Sequence, residues 1–243
     1  MAATIAGSDG LPPPAVRNVV DRVPFLDKEL FVLADFLPTG GVMVDVGAAG
    51  GVHALLAART VGPGGRVIAI EARPASAAIL RRWRSLLGLS QVTVLSTAVG
   101  AEPGSLDLRT PLVPTRTHAD DGDDGTWMAR LPGRVRTVGM TTLDIVAAAH
   151  HLDRLDVLKV DVEGAEPDVL AGGAATIERF RPVVFIEIEQ RHLQRTGRSG
   201  ADVQRWLEDR GYRCHVFDDE GLHPVDVVTP DEFNYVFVPD PAA

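Results

Sequence analysis

Apolar positions along the chain alternate between two rhythms. Short runs rich in Val, Ile and Leu are separated by stretches whose apolar residues recur at helical spacing. The run Val42-Met-Val-Asp-Val46 breaks into Gly47-Ala-Ala-Gly-Gly51, and residues 53–59 behind it read as a helix. Residues 66–71 form a second run that ends on Glu71, and Pro74 opens a helix over 75–87. Residues 92–95, 157–161 and 182–189 supply a third, fourth and fifth strand. A helix begun at Pro167 runs through Leu170 and stops at Gly172-Gly173, and an amphipathic helix over 201–210 stops at Gly211. Residues 214–217 and 234–238 follow with no helix between them, so they predict an antiparallel pair. A helix over 25–37 precedes the first strand. Strand–helix alternation closed by such a pair predicts an α/β fold, a mostly parallel sheet with one strand reversed.

The rhythm fails between 105 and 138. Leu106-Asp-Leu and residues 135–138 read as paired short strands, and residues 111–132 between them are polar and rich in Gly and Pro, with an acidic run at 120–124. A loop this long inside one domain is a lid or a disordered insertion. The acidic run lacks the ligand spacing of a calcium loop. Thr141 with Asp144 reads as a capping box opening a helix through 150. The expected organisation is a flexible leader over 1–23 and a single domain over 24–243, with the inserted loop or lid at about 105–138.

Composition narrows the function. At 243 residues and 45% apolar, with mean hydropathy +0.07, the chain has material for one large core. A net charge of −9, a pI near 5.2 and the lack of any Lys/Arg run argue against a nucleic-acid groove. Cys214 is the one cysteine, which rules out an intrachain disulfide and a Cys-based metal site. No stretch approaches the roughly 18 apolar residues of a membrane span, and no basic-then-apolar leader opens the chain, so a cytoplasmic location is expected. Homodimerisation is left open.

The small-residue turn after the first strand is where α/β proteins hold nucleotide-like cofactors, because small residues admit close backbone approach. A dinucleotide site asks for G-x-G-x-x-G, a spacing that Gly47-Ala-Ala-Gly-Gly51 lacks. An acid-x-Gly-x-Gly-x-Gly pattern, usual for S-adenosyl-L-methionine (SAM), fits Asp45, Gly47 and Gly51, with Ala49 in place of the middle glycine. SAM carries no phosphate, so its site wants backbone approach and an acid for the ammonium group. Asp45 suits that, directly or through water, and Glu71 suits both ribose hydroxyls. Thr97 and Ala98, after the third strand, are expected along the adenine edge.

With these motifs the chain resembles the FkbM-type SAM-dependent methyltransferases. The matching residues are Val44-Asp-Val-Gly-Ala48, Ile70-Glu-Ala72, Thr97-Ala-Val-Gly100 and Thr142-Leu-Asp144. The most distinctive match is Leu158-Lys-Val-Asp-Val-Glu-Gly-Ala-Glu166, followed by Val169-Leu-Ala-Gly172 and Val184-Phe-Ile-Glu187. The likeness covers roughly residues 40–240. Ala49 and Thr97 stand where the family commonly has Asn. The resemblance implies a Rossmann-like class I SAM methyltransferase with a mostly parallel seven-stranded sheet, a reversed C-terminal strand and helices on both faces. The expected cofactor contacts are then Asp45, Gly47, Ala48, Ala49, Gly51, Glu71, Ala72, Thr97, Ala98 and Asp161. The resemblance also implies methylation of a hydroxyl on a sugar, glycolipid or secondary metabolite, a small-molecule acceptor.

Methyl transfer to a hydroxyl relies on positioning, helped by a base. Lys159, Asp161 and Glu163 alternate along one face of the fourth strand and its exit, and Glu187 and Glu189 share a face of the fifth. Asp161, Glu163 and Glu187, with His53 behind the glycine turn, are the catalytic candidates. Each has a plainer reading: Lys159 pairs with a carboxylate, Glu166 supports a helix dipole, and His53 is a half-buried helix residue. Oxygen ligands at Asp161, Glu163 and Glu187 would suit a divalent cation, but no metal is expected in the site. Trp127 and Met128 either cover a sugar face or dock onto the domain. The competing readings are an NAD(P)-dependent oxidoreductase, for which no Tyr-x-x-x-Lys pattern is present, and a non-catalytic binding module on the SAM fold.

Overall fold

The computed structural model describes residues 29–111, 118–119, 133–218 and 221–241. The expected leader, the acidic run at 120–124, Trp127 and Met128 lie outside those residues. In chain order the elements are α1 (Glu29–Asp35), β1 (Val42–Val46), α2 (Val52–Val61), β2 (Arg66–Ile70), α3 (Pro74–Leu86) and β3 (Val92–Leu95). Then come β4 (Ala98–Val99), β5 (Gly104–Pro111), β6 (His118–Ala119), β7 (Gly133–Thr141), α4 (Leu143–Ala149) and β8 (Val157–Val160). The last part holds α5 (Glu166–Ala171), α6 (Ala174–Phe180), β9 (Val183–Glu187), α7 (Gln190–Gln194), α8 (Gly200–Glu208), β10 (Tyr212–Asp218), β11 (Gly221–Pro224) and β12 (Asn234–Pro239).

The main sheet runs β11-β10-β12-β9-β8-β1-β2-β3, with β9, β8, β1, β2 and β3 parallel and β12 antiparallel to β9. This is the Rossmann-like fold with a reversed strand and helices on both faces. Among the described residues the sheet has eight strands rather than seven, because β10 turns back on itself to pair with β11. Every residue of β1 is buried, as expected of a central strand covered on both sides. Its alternate side chains feed two cores. Val44 joins Leu158, Val184, Leu143 and Leu170 on one face, and Met43 joins Val67, Phe185, Leu33 and Ala57 on the other.

The interrupted stretch folds as a second sheet, β4-β7-β5-β6. The expected short strands are longer than their motifs suggest, pairing from Gly104↔Met140 to Pro111↔Gly133. They are held by a small cluster of Ala98, Leu108 and Val138.

Two local readings change. Thr142, not Thr141, caps α4, its side chain accepting from Ile145 N at 3.2 Å. Asp144 instead accepts from the backbone N–H of Thr176 at 2.8 Å and from its hydroxyl at 2.6 Å. That borrowed cap restarts the chain as α6 directly after Gly173, where the sequence shows only a stop signal.

Candidate active site

The turn after β1 is locked by its neighbours. The N–H groups of Gly47 and Ala48 both donate to Ile70 O, at 2.9 and 3.0 Å. Ala49 N donates to Glu71 Oε2 at 2.7 Å, while Glu71 Oε1 accepts from Arg73 N at 2.7 Å and Arg73 Nε at 3.2 Å. Two glycines are required here. Gly47 has φ +87°, and a Cβ there would stand 1.8 Å from Asp161 O. Gly51 has φ +89°, and its Cβ would stand 2.0 Å from Leu80 Cδ1 on α3. Ala49 takes the same left-handed region at φ 45° without being glycine.

Beyond the carboxyl ends of β1, β2, β8 and β9 lies a cavity of about 530 Å³, within the range of small-molecule sites. Of the expected cofactor contacts, Gly47, Ala49, Glu71, Ala72, Thr97 and Ala98 line it. Asp161, Glu163, Glu187 and His53 line it too, so the catalytic candidates from three elements meet in one place. Thr97 also donates to Gly139 O at 2.7 Å, tying the β3–β4 turn to β7. Ala48 and Gly51 are buried and serve the turn's shape without lining the cavity. The expectation for Asp45 is corrected in one respect. It is 1% exposed and does not line the cavity, because its position in β1 turns it into the α1/α2 face, beside Lys159 in the register of β8.

That face carries a buried charge cluster. Lys159, 3% exposed, has Nζ 3.2 Å from Asp161 Oδ2 and 3.9 Å from Glu29 Oε1. Burial works against its charge, but Glu29, Asp161 and Asp45 outweigh that and hold the ammonium well above its usual value. Burial raises the Asp45 carboxyl, an effect only partly offset by Lys159 and His53. Asp161 is different. Burial pushes it up, yet Lys159, a hydrogen bond with Glu187 and the pull of His53 bring it below the ordinary value. A hydrogen bond between two carboxyl groups needs one proton, which the Asp161–Glu187 pair shares.

Glu163 sits in the left-handed region at φ 53°, followed by Gly164 at φ 111°. Glu166 holds this turn from behind: it is 1% exposed and its Oε1 accepts from Gly164 N at 2.9 Å. Burial raises its carboxyl to about 7, against backbone hydrogen bonds that favour the charge. Glu189 faces away and pairs with Arg191 and His192. Among the described residues no group of three or more His, Cys, Asp or Glu side chains is placed to hold a metal ion, and no helix is long and apolar enough to cross a membrane.

Several cavity residues were not anticipated, among them Arg73 after β2, Leu106 and Leu108 from β5, and Phe233 and Asn234 from the entry to β12. Glu29 is the most consequential of them. A signal for it existed, since Glu29, Leu33 and Leu37 recur every four residues, placing an acid on the buried stripe of α1.

The methyltransferase FkbM domain model matches residues 45–214. A curated relative, "Methyltransferase 1" of Beauveria bassiana (strain ARSEF 2860), is 31% identical over 169 residues, which is 62% of this chain and 67% of that protein. A solved structure, the methyltransferase FkbM from Methylobacillus flagellatus KT, superposes with a TM-score of 0.53 at 19% identity. That superposition covers 89% of this chain and 46% of the larger protein.

Proposed function

We propose that this chain, which belongs to the FkbM methyltransferase family and uses S-adenosyl-L-methionine as its cofactor, methylates a hydroxyl oxygen of a sugar, glycolipid or secondary metabolite. The family assignment removes the NAD(P)-dependent oxidoreductase reading. When bound, SAM supplies an electrophilic methyl group on a sulfonium and leaves as a neutral thioether.

The residues present fit that cofactor. Gly47 and Ala49 line the cavity, and Gly47 cannot carry a side chain because the Asp161 carbonyl packs against it. Glu71 is fixed by Ala49 and Arg73. Its two oxygens offer about four acceptor sites; three are taken, which leaves about one, on Oε2, for a ribose hydroxyl. Thr97, Ala98 and Ala72 flank the space for the adenine.

One observation carries the choice of a hydroxyl acceptor: Asp161, Glu163, Glu187 and His53 converge at the cavity's acid edge. An alcohol is a poor nucleophile until it gives up its proton, whereas a neutral amine needs no base to attack. Carboxylates that accept from hydroxyls orient such an acceptor, and the base comes from the same set, Asp161, Glu163, Glu187 and His53. A second depression of about 620 Å³ adjoins the first, sharing Glu187 and Phe233, with Gln190 and Gln194 on its wall. An exposed aromatic ring beside amide and carboxyl groups suits a polyhydroxylated acceptor.

The test is an acceptor screen with methyl-labelled SAM across glycosides, glycolipids and polyketide alcohols, with products resolved by mass and NMR. An O-methyl product is expected, with turnover reduced by Asp161→Asn at nearly unchanged S-adenosylhomocysteine affinity. Methylation confined to nitrogen or carbon acceptors would refute the reading.

A further inference from the structure

Glu29 stands in the first turn of α1 at 5% exposure, yet it reaches the cavity wall. Its Oε2 lies 3.0 Å from His53 Nε2, and its Oε1 lies 3.9 Å from Lys159 Nζ. Burial alone would raise this carboxyl. His53 and Lys159 outweigh burial and hold it below its usual value, so Glu29 is an anion. The groups facing this pair are Lys159, Asp45 and Asp161.

The two ring nitrogens of His53 have different surroundings. Nε2 is buried against Glu29, at hydrogen-bond distance but not yet in line. Small ring rotations of this kind tighten when substrate arrives. Nδ1 has no hydrogen-bond partner among the described residues and is not among the buried polar atoms, while the side chain keeps 20% of its surface and lines the cavity. An imidazole whose Nε2–H points to a carboxylate carries its lone pair on Nδ1.

We propose that Glu29 and His53 form a carboxylate–imidazole dyad whose Nδ1 is the general base for the acceptor hydroxyl; the proposal rests on the O-methylation reading above. The hydroxyl proton passes to Nδ1 as the oxygen lone pair forms the new C–O bond. The electron pair of the broken C–S bond stays on the departing sulfur. The imidazolium so formed is neutralised by the Glu29 carboxylate and later releases its proton to solvent. Glu29 is a positioning residue: it fixes the tautomer and stabilises the charged ring without touching the acceptor. Asp161 is the poorer base, since Lys159 and Glu187 already hold its charge, and it is left to accept and aim the hydroxyl.

The test is histidine-selective ¹⁵N NMR of the whole chain, with His53 assigned by the loss of its signals in His53→Gln. Above the imidazole titration, the wild-type ring should show a protonated Nε2 and a bare Nδ1. Glu29→Gln should keep that tautomer, because its amide oxygen still accepts. Glu29→Ala should mix the two tautomers. In turnover assays kcat should fall about 10²-fold for His53→Gln and about 10-fold for Glu29→Gln, with KM for SAM little changed. A proton found on Nδ1 in the wild type, or an unmixed tautomer in Glu29→Ala, would overturn the dyad. The NMR arm needs no acceptor, so its failure is distinct from a failure to find an O-methylated product.

Discussion

A Cβ atom on Gly47 would stand 1.8 Å from the carbonyl oxygen of Asp161. The turn proposed to receive the cofactor and the acid edge proposed to receive the acceptor are therefore in backbone contact. Both the clash and the positive φ act against Gly47→Ala, which should cost about 3 kcal/mol or more. Urea unfolding would measure that loss, and calorimetry should show at least a tenfold weaker S-adenosylhomocysteine affinity. A variant with wild-type stability and affinity would mean that the two loops are not held together as described.

Ala49 makes the opposite prediction. It holds a left-handed conformation at φ 45° that glycine and asparagine adopt more readily than alanine does. Its N–H bond to Glu71 does not depend on the side chain. Ala49→Gly and Ala49→Asn should therefore stabilise the fold by about 0.5–1 kcal/mol, read as a raised Tm, and Ala49→Val should lower it. A lower Tm for both the Gly and Asn variants would contradict this backbone assignment.

Much of the fold was legible because strand and helix periods are local properties. The β1 run, the glycine turn, Glu71 and the acids after β8 are each visible within a few residues. The charge cluster was not, because Glu29 and Lys159 are far apart in sequence and meet only through the sheet register and the packing of α1 on α2. Asp45 shows the same limit: an acid at a strand end reads as a ligand contact, but its face is set by the parity of β1 against β8. The helix α6 was hidden because its cap is lent by Asp144 on α4.

Lys159 holds several carboxylates together, so Lys159→Met should be costly, by about 3–5 kcal/mol near neutral pH. The pH dependence follows from sign. With Lys159 present, Glu29 and Asp161 lie below their usual values, so their contribution is full above the unfolded carboxylate range and is lost as pH falls. Without Lys159, burial dominates and raises these carboxyls, so the variant loses stability as pH rises. The gap in urea midpoint between the two proteins should widen from pH 5 to pH 8, and a constant gap would contradict the cluster.

Glu166 is a carboxyl raised to about 7 by burial. The folded state then binds more protons than the unfolded state between the ordinary carboxylate range and about 7, and stability falls as pH rises through that window. Glu166→Gln keeps an oxygen for Gly164 N and cannot ionise. It should gain up to about 3 kcal/mol over the wild type at pH 8 and almost nothing at pH 4, which chemical denaturation at the two pH values would check.

The central claim is that a methyl group leaves SAM for a hydroxyl oxygen at the edge formed by Asp161, Glu187 and His53. The most direct measurement is ¹³C NMR of the product formed from methyl-¹³C SAM in the acceptor screen. A single new methyl resonance is expected in the methoxy region, lost in His53→Gln and reduced in Asp161→Asn. A labelled methyl on nitrogen or carbon, or full methoxy yield from both variants, would contradict it.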